Sequence, residues 1–140
     1  MKLKSLLIVL AVLLMGMKLM AERSVSFLHN GSSINGVIID ISSRTGQIDF
    51  LNNTRIHRSN VWMINFGNNR WNFPAERAQL SKNTDTIFLR DGRILYVRIN
   101  DFSIKKRTFE FPGGGKVHES NVLRIYFCCT TLPAAYSGRY

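Results

Sequence analysis

The sequence predicts an all-β protein built from two tandem five-stranded small barrels that are related by an internal repeat. Ser24–Phe66 aligns without a gap on Asp85–Phe127, and 13 of the 43 aligned residue pairs are identical. Short apolar runs alternate with polar residues in both copies, as they do in half-buried β-strands. Turn-forming residues separate these runs at matching places in the two copies. The chain therefore contains the same small β unit twice.

Each copy begins with a strand that ends in a hairpin turn. The predicted strand covers Val25–His29 in the first copy and Thr86–Arg90 in the second. An Asn-Gly pair ending at Gly31 and an Asp-Gly pair ending at Gly92 follow these strands. Glycine adopts positive φ without steric cost, so both pairs predict a tight hairpin turn.

The second strand of each copy is long and is predicted to bend. It covers Ile34–Ser42 in the first copy and Leu95–Ser103 in the second. Apolar residues occupy alternate positions until Asp40 and Asp101, after which they move to the other parity. A bulge or bend at these aspartates would let both halves of the strand face one core.

Three further elements complete each copy. A third strand, a short fourth strand and a single 3₁₀ turn capped by Ser or Asn lead to the last strand. In the first copy these elements are Gly46–Leu51, Arg55–Arg58, the turn containing Asn60, and the run containing Ile64 and Phe66. In the second copy they are Arg107–Pro112, Lys116–Glu119, the turn containing Asn121, and the run containing Ile125 and Phe127.

Residues 22–67 and 84–128 are thus assigned to the two repeats, residues 68–83 to a linker and residues 129–140 to a C-terminal tail. The linker is predicted to contain a short helix with Pro74 in its first turn. Trp71, Phe73 and Leu80 are large apolar residues in this otherwise polar segment. We expect them to fill the seam between the repeats; the alternative is an exposed face that contacts a ligand.

Residues 1–21 have the pattern of a secretory signal peptide. Lys2 and Lys4 precede the continuous apolar run Leu6–Met15, and Ala21 is a small residue suited to cleavage. Lys18 interrupts the apolar segment before it reaches the length of a membrane span. The mature chain is therefore predicted to be secreted or periplasmic, with an uncleaved N-terminal anchor as the alternative.

The two cysteines, Cys128 and Cys129, are adjacent and follow the second repeat. An extracytoplasmic protein can form disulfides, but a bridge between neighbours requires a strained ring. The sequence therefore favours reduced cysteines or a bridge to another chain. Two adjacent cysteines without a nearby histidine are a poor zinc motif, so no metal site and no cofactor is predicted.

His57 and His118 occupy the same position in the two copies and are the first candidates for catalysis. Each precedes the Ser-Asn turn, so a hydrogen bond from the turn to the imidazole would explain its recurrence. A catalytic histidine needs a nucleophile or an orienting carboxylate, which Asp40 or Asp101 would have to supply. We expect a structural role for the histidines and keep a hydrolase with its site at His57 or His118 as an alternative.

Basic residues suggest a second kind of site. The chain has a formal net charge of +10; three of its 19 Lys and Arg residues lie in residues 1–21, which leaves 16 against 9 Asp and Glu, or +7. In the second repeat, candidate ligand-binding residues are Lys105, Lys106, Arg107, Arg98 and Tyr96. Such a face would suit an acidic polymer, namely a polysaccharide, a nucleic acid or an anionic lipid surface. A secreted protein meets little nucleic acid, so that partner is disfavoured.

The turn placement and apolar rhythm of each repeat resemble those of the SH3-like and Sm-like small-barrel families. Ile38–Ser42 and Ile99–Ser103 lie where Sm proteins carry an Asp-x-aromatic-x-Asn loop that contacts RNA. Asp40 and Asp101 match the aspartate of that loop, but the asparagine is missing, so the RNA-ring function is not carried over. Small barrels of secreted bacterial proteins resemble adaptor or wall-binding modules more than enzymes.

The sequence thus favours a non-enzymatic binding or assembly module of the cell envelope. The main alternative is a binder of acidic polymer through the basic face of the second repeat. The expected partner is an envelope protein or an acidic polymer, and exposed barrel edges could also pair with a second copy.

Overall fold

The computed structural model describes residues 22–67 and 73–128, and this part of the chain is all-β with one short helix. The strands of the first repeat are β1 (Ser24–Leu28), β2 (Ser33–Gly36), β3 (Ile38–Ile41), β4 (Gln47–Phe50), β5 (Arg55–His57) and β6 (Val61–Asn65). Helix α1 (Phe73–Arg77) follows. The strands of the second repeat are β7 (Asp85–Leu89), β8 (Ile94–Val97), β9 (Asp101–Ser103), β10 (Thr108–Glu110), β11 (Lys116–His118) and β12 (Val122–Tyr126).

The two repeats share one antiparallel sheet of six strands, in the order β2-β1-β6-β12-β7-β8. At its centre β6 pairs with β12, and Ile64 lies opposite Ile125. These isoleucines are equivalent positions of the two repeats, so a pseudo-two-fold axis passes between them. Met63 lies opposite Tyr126 and Asn65 opposite Arg124, as this axis requires.

Hydrogen bonds around the axis are matched as well. The Phe66 amide donates to the Leu123 carbonyl over 2.9 Å, and the equivalent Phe127 amide donates to the Trp62 carbonyl over 3.1 Å. A third contact between the repeats is a single bridge between Ser42 and Asp101. The repeats therefore form one unit, not two separate bodies joined by a linker.

The hairpin turns predicted at the two glycines are confirmed. Gly31 has a φ of 90° and Gly92 a φ of 92°. The Gly31 amide donates to the Leu28 carbonyl, and the Gly92 amide donates to the Leu89 carbonyl, both over 3.1 Å. The first turn thus has the same backbone conformation in both repeats.

The second strand bends earlier than the apolar pattern predicted. It breaks at Val37 in the first repeat, where Gly36 passes so close to Phe50 that a Cβ would lie 3.2 Å from Phe50 Cδ1. The register of β3 against β4 then shifts between Ile38 and Asp40, which is the irregularity expected there. In the second repeat the break spans residues 98–100.

Because of this break each repeat has six strands where five were expected, and β3-β4-β5 and β9-β10-β11 form two further antiparallel sheets. Residues 22–67 and 73–128 show an all-β fold with three sheets. They do not show two separate closed five-stranded barrels.

Two hydrophobic clusters hold the sheets together. The larger cluster contains side chains of both repeats, among them Ile64, Phe66, Ile125 and Phe127. It lies between the six-stranded sheet and the two three-stranded sheets, so both repeats are folded around one core. The burial of apolar side chains in this core therefore stabilises both repeats together.

The smaller cluster covers the other face of the six-stranded sheet. It contains Trp62, Tyr126 and Phe73 of helix α1, with Leu80 packed at its edge. The Trp62 and Phe73 ring centroids are 5.5 Å apart in an edge-to-face arrangement. Phe73 and Leu80 thus lie at the seam between the repeats, whereas Trp71 is outside the described residues.

A buried carboxylate fixes helix α1 on the sheet. Glu76 Oε1 accepts hydrogen bonds from Arg124 Nε at 2.7 Å and from the Tyr126 hydroxyl at 3.0 Å. All three residues are less than a tenth exposed. The charges of Glu76 and Arg124 are paired, as burial requires.

The predicted signal segment, residues 1–21, and the tail, residues 129–140, are outside the described residues. In the described part of the chain, no helix has the length and apolar character needed to span a bilayer.

The shared core predicts that the protein unfolds in one transition, seen at the same urea concentration by every probe.

Replacing Ile64 or Ile125 by Val removes one methylene from a fully buried site, so each variant should lose about 0.5–1.5 kcal/mol of unfolding free energy. Urea denaturation followed by tryptophan fluorescence and by far-UV circular dichroism measures both the number of transitions and the unfolding free energy. Ile104, which is 55% exposed, supplies the control: Ile104→Val should change stability by less than about 0.5 kcal/mol. Two separate transitions would contradict the shared core.

Candidate binding site between the repeats

A cleft of about 400 Å³ lies where the two repeats meet. The first repeat lines it with Ser43, Gly46, His57, Arg58 and Ser59. The second repeat, with the residues just before it, contributes Asn83, Thr84, Asp85, Arg98, Phe127 and Cys128. The cleft is in the size range of small-molecule sites and exists only because the repeats are fused.

Asp85 begins strand β7 and forms the inner wall of the cleft. Its side chain is 4% exposed. Oδ2 accepts hydrogen bonds from Arg58 Nη2 and from the Ile99 amide, both at 2.9 Å, and Oδ1 accepts one from the Cys128 amide at 2.7 Å. Both carboxylate oxygens are therefore engaged by the protein itself.

Arg58 connects the first repeat to this wall. Besides its ion pair with Asp85, its Nη1 donates to the Ile99 carbonyl over 2.8 Å. The guanidinium also lies over the Phe127 ring, 5.0 Å from the ring centroid. Three contacts with the second repeat hold this side chain in one position, so Arg58 belongs to the walls of the cleft.

His57 caps the 3₁₀ turn that precedes β6. The Ser59 amide donates to His57 Nδ1 over 3.2 Å, and Ser59 Oγ lies 2.7 Å from the same nitrogen. Because Nδ1 accepts the amide proton, the neutral ring carries its proton on Nε2. A Cβ at Gly46 would lie 2.5 Å from that Nε2, so the ring can hold this position only beside a glycine, although Arg107 adopts a similar φ of 51° at the equivalent position of the second repeat.

His118 makes the same cap in the second repeat. The Ser120 amide donates to His118 Nδ1 over 3.1 Å, and Ser120 Oγ lies at 2.7 Å. A hydrogen bond from the turn to the imidazole is what the recurrence of the histidine predicted. In both copies the Nδ1 lone pair is already directed at the backbone of the turn, which leaves it poorly placed to accept a proton from serine.

The aspartates and asparagines of the repeat lie elsewhere. Asp40 and Asp101 are exposed, and within the described residues neither forms a hydrogen bond with a histidine. The Asn60 carbonyl accepts from the His29 amide, and the equivalent Asn121 carbonyl accepts from the Arg90 amide. These positions close the first hairpin against the 3₁₀ turn.

Four of the five predicted ligand-binding residues are exposed, and the fifth is buried. Arg98 is exposed and lines the cleft. Tyr96 is 50% exposed and its hydroxyl donates to the Gln79 carbonyl after helix α1, over 2.8 Å. Lys105 and Lys106 are exposed on the turn between β9 and β10.

Arg107 differs most from the expectation, because it is only 7% exposed. Its Nε donates to Glu119 Oε2 over 2.7 Å, and its guanidinium lies 4.6 Å from the centroid of the Phe102 ring. The side chain is therefore directed into the protein and does not extend the basic turn of Lys105 and Lys106. The sequence could not show this, since a run of three cations reads as one exposed patch.

Burial raises the pKa of the Glu119 carboxyl above its ordinary value of 4.5, although the hydrogen bond and charge of Arg107 oppose the shift. Glu119 is 2% exposed, and its Oε1 has no hydrogen-bond partner in the described structure. Burial thus destabilises the charged form of the carboxyl by more than Arg107 stabilises it.

Cys128 is half-buried and disulfide-bonded. The sequence has one other cysteine, Cys129, which is outside the described residues. The structure thus differs from the expectation of reduced cysteines. Among residues 22–67 and 73–128, no group of three or more His, Cys, Asp or Glu side chains is placed to hold a metal ion.

Sequence reasoning missed Arg58, Asp85 and Thr84 as parts of one site. Their distance along the chain gave no signal of proximity. One signal was available in the repeat itself: Arg58 is aligned with Glu119, and Asp85 with Ser24. Such charge differences at equivalent positions mark the two symmetry-related contacts between the repeats, one at Arg58 and one at Glu119, as different from each other.

Comparison with protein-family models, with curated proteins and with solved structures gave no match to this chain. The function proposed below is therefore supported by the geometry of the chain's own residues.

The histidine caps predict a specific stability pattern. His57→Ala or His118→Ala removes an acceptor for a turn amide and should cost about 0.5–2 kcal/mol of unfolding free energy. His57→Asn and His118→Asn keep a side-chain acceptor and should recover most of that loss. Urea denaturation of the four variants measures it. If the Asn variants lose as much as the Ala variants, capping is not the reason for the histidines.

The raised pKa of Glu119 predicts a pH dependence with a definite sign. A carboxyl whose pKa is higher in the folded state stabilises the fold fully below its unfolded pKa, and this stabilisation is lost as the pH rises through the folded pKa. The unfolding free energy of the native chain, relative to Glu119→Gln, should therefore fall as the pH rises from below 4.5. Urea midpoints of both proteins from acid to neutral pH test this, and a rising difference would contradict it.

Proposed function

We propose that this chain is a non-enzymatic binding module of the cell envelope, and that the cleft between its repeats takes the ligand. The observation that carries the proposal is the cleft itself, which both repeats line and which is rigid on the side of Arg58 and Asp85. Binding sites commonly lie where two structural units meet.

The finer description of each repeat as an SH3-like or Sm-like small barrel belongs to this proposal. It is supported by a hairpin, a long second strand that leaves one sheet for another, and a 3₁₀ turn directly before the last strand. Each repeat supplies three strands to the shared sheet and three to a sheet of its own. The resemblance in turn placement and apolar rhythm to these families, whose secreted members resemble adaptor modules more than enzymes, supports a binding role.

The non-enzymatic role is supported by the repeated His-Ser pairs. Both histidines accept a backbone hydrogen bond from the 3₁₀ turn with nearly the same geometry. Asp85, the carboxylate among the described residues that line the cleft, has both oxygens engaged by Arg58 and backbone amides. A serine hydrolase would need a carboxylate free to orient the imidazole.

Export to the envelope is proposed from the sequence of residues 1–21 alone. N-terminal sequencing of the protein recovered from the periplasm or the medium tests cleavage after Ala21.

Acidic-polymer binding stays as a second candidate because Lys105 and Lys106 are exposed on the β9–β10 turn. Ile104, beside them, is 55% exposed. The loss of Arg107 to an internal ion pair reduces this patch to two cations. Two cations support weak, salt-sensitive attraction more readily than selective binding.

A capture experiment with a matched pair of variants tests the proposal. Ser43 is an exposed residue of the cleft, and Asn35 is an exposed residue of β2 whose equivalent in the second repeat is Tyr96. An envelope component that binds in the cleft should be retained by the native chain and by Asn35→Tyr, but not by Ser43→Tyr. Equal retention by both variants would show that the ligand binds outside the cleft.

The second candidate has its own test. If Lys105 and Lys106 hold an acidic polymer, Lys105→Ser/Lys106→Ser should reduce the slope of log affinity against log salt by up to about 2, one for each contact removed. Heparin affinity, measured at several salt concentrations with circular dichroism as a folding control, provides the slope. An unchanged slope would assign any polymer binding to other residues.

A further inference from the structure

We propose that the cleft between the repeats is an anion site, in which Arg98 binds a carboxylate, phosphate or sulfate group of the ligand. This deepens the function proposed above and rests on it.

The cleft contains one acidic side chain, and that side chain is fully engaged. Asp85 accepts hydrogen bonds from Arg58, from the Ile99 amide and from the Cys128 amide. Its charge is balanced by Arg58 at 2.9 Å. Asp85 therefore neither repels an anion strongly nor offers an acceptor to a cationic ligand.

Arg98 supplies the positive charge of the cleft that is not balanced by a carboxylate of its lining. It directly follows strand β8, is exposed, and lines the cleft. Within the described residues it makes no ion pair and no hydrogen bond. With Arg58 and Asp85 balanced against each other, the side chains lining the cleft carry one net positive charge. A planar guanidinium binds a carboxylate or phosphate through two parallel hydrogen bonds.

The remaining polar groups of the cleft can donate hydrogen bonds. Ser43 and Asn83 are exposed and line the cleft, so their hydroxyl and amide groups can reach a ligand there. His57 carries its proton on Nε2 because Nδ1 accepts the Ser59 amide. Hydroxyl, imidazole and amide donors around one free guanidinium suit the oxygens of an anionic group.

The equivalent place across the pseudo-two-fold axis keeps the histidine cap but lacks the free arginine and the Arg58–Asp85 pair. Gly46 is replaced by Arg107, and Arg58 by Glu119; these two replacements form a buried ion pair with each other. The position equivalent to Arg98 is Val37. Duplication would have produced two equal seams, so the free arginine beside the cleft is a difference between the copies and not a requirement of the fold.

The anion site can be tested on the mature chain, residues 22–140, by titrating inorganic phosphate, sulfate and D-glucuronate at constant ionic strength. Isothermal calorimetry or chemical-shift changes give the dissociation constants. Phosphate and sulfate act as the oxyanion probes and glucuronate as the carboxylate probe, so their relative affinities distinguish the two sources of the anionic group. At least one probe should bind, and Arg98→Gln should weaken it by about tenfold or more.

Two further variants keep this test decisive. Lys116→Gln removes one exposed positive charge from β11, away from the cleft, and should leave the dissociation constant within about twofold. Binding that is equal in Arg98→Gln and the native chain, or that falls equally in Lys105→Gln/Lys106→Gln, would overturn the inference.

The outcomes for the two proposals differ. If Ser43→Tyr abolishes capture of an envelope component but no anion binds through Arg98, the anion inference fails and the binding-module proposal stands. If an anion binds through Arg98 but no envelope component needs the cleft, the module proposal fails while the site is retained.

Discussion

Strand β6 pairs with β12 across an axis between Ile64 and Ile125, and the other features of the molecule depend on this pairing. A repeat of 43 residues is close to the size at which a domain cannot bury enough apolar surface to be stable alone. Its last strand would also be an open edge that invites aggregation. Pairing the two last strands removes both problems, because it covers the edges and joins the cores of the two copies. The remaining edges of the shared sheet are β2 and β8.

The backbone is symmetric, but the side chains differ at the two places where the 3₁₀ turn of a repeat lies, which we call the two seams: one contains Arg58 and the other Glu119. At one seam Arg58 reaches across to Asp85, so the ion pair joins the repeats. At the other, the residue equivalent to Arg58 is Glu119, and its partner Arg107 lies in the same repeat. The first arrangement leaves a cleft beside Gly46, whereas the second places a large buried side chain at the equivalent position. The hydrogen bonds of the sheet are the same at both seams, so these exchanges did not disturb the pairing.

The sequence predicts most of the local structure because local structure depends on neighbouring residues. The turns at Gly31 and Gly92 follow from positive φ, and the caps at His57 and His118 from their position before the Ser-Asn turn. The irregularity predicted at Asp40 is present as a register shift between Ile38 and Asp40, and the strand is also interrupted earlier, at Val37, where Gly36 lies close to Phe50. The β6–β12 pairing, the burial of Arg107 and the cleft depend on contacts between residues far apart in the chain. Alternation within one strand holds no information about which strand of the other repeat will lie beside it.

The hydrogen bonds around Asp85 support the proposal that a ligand binds in the cleft and not on the basic turn of the second repeat. Asp85 binds Arg58, the Ile99 amide and the Cys128 amide at once, so one carboxylate ties the first repeat to the ends of two segments of the second. A wall held in this way loses little entropy when a ligand binds, which favours affinity. Lys105 and Lys106 lie on an exposed turn and have long side chains that a ligand would have to order. The pairing that stabilises the two small repeats thus also creates a polar cleft whose walls come from both of them.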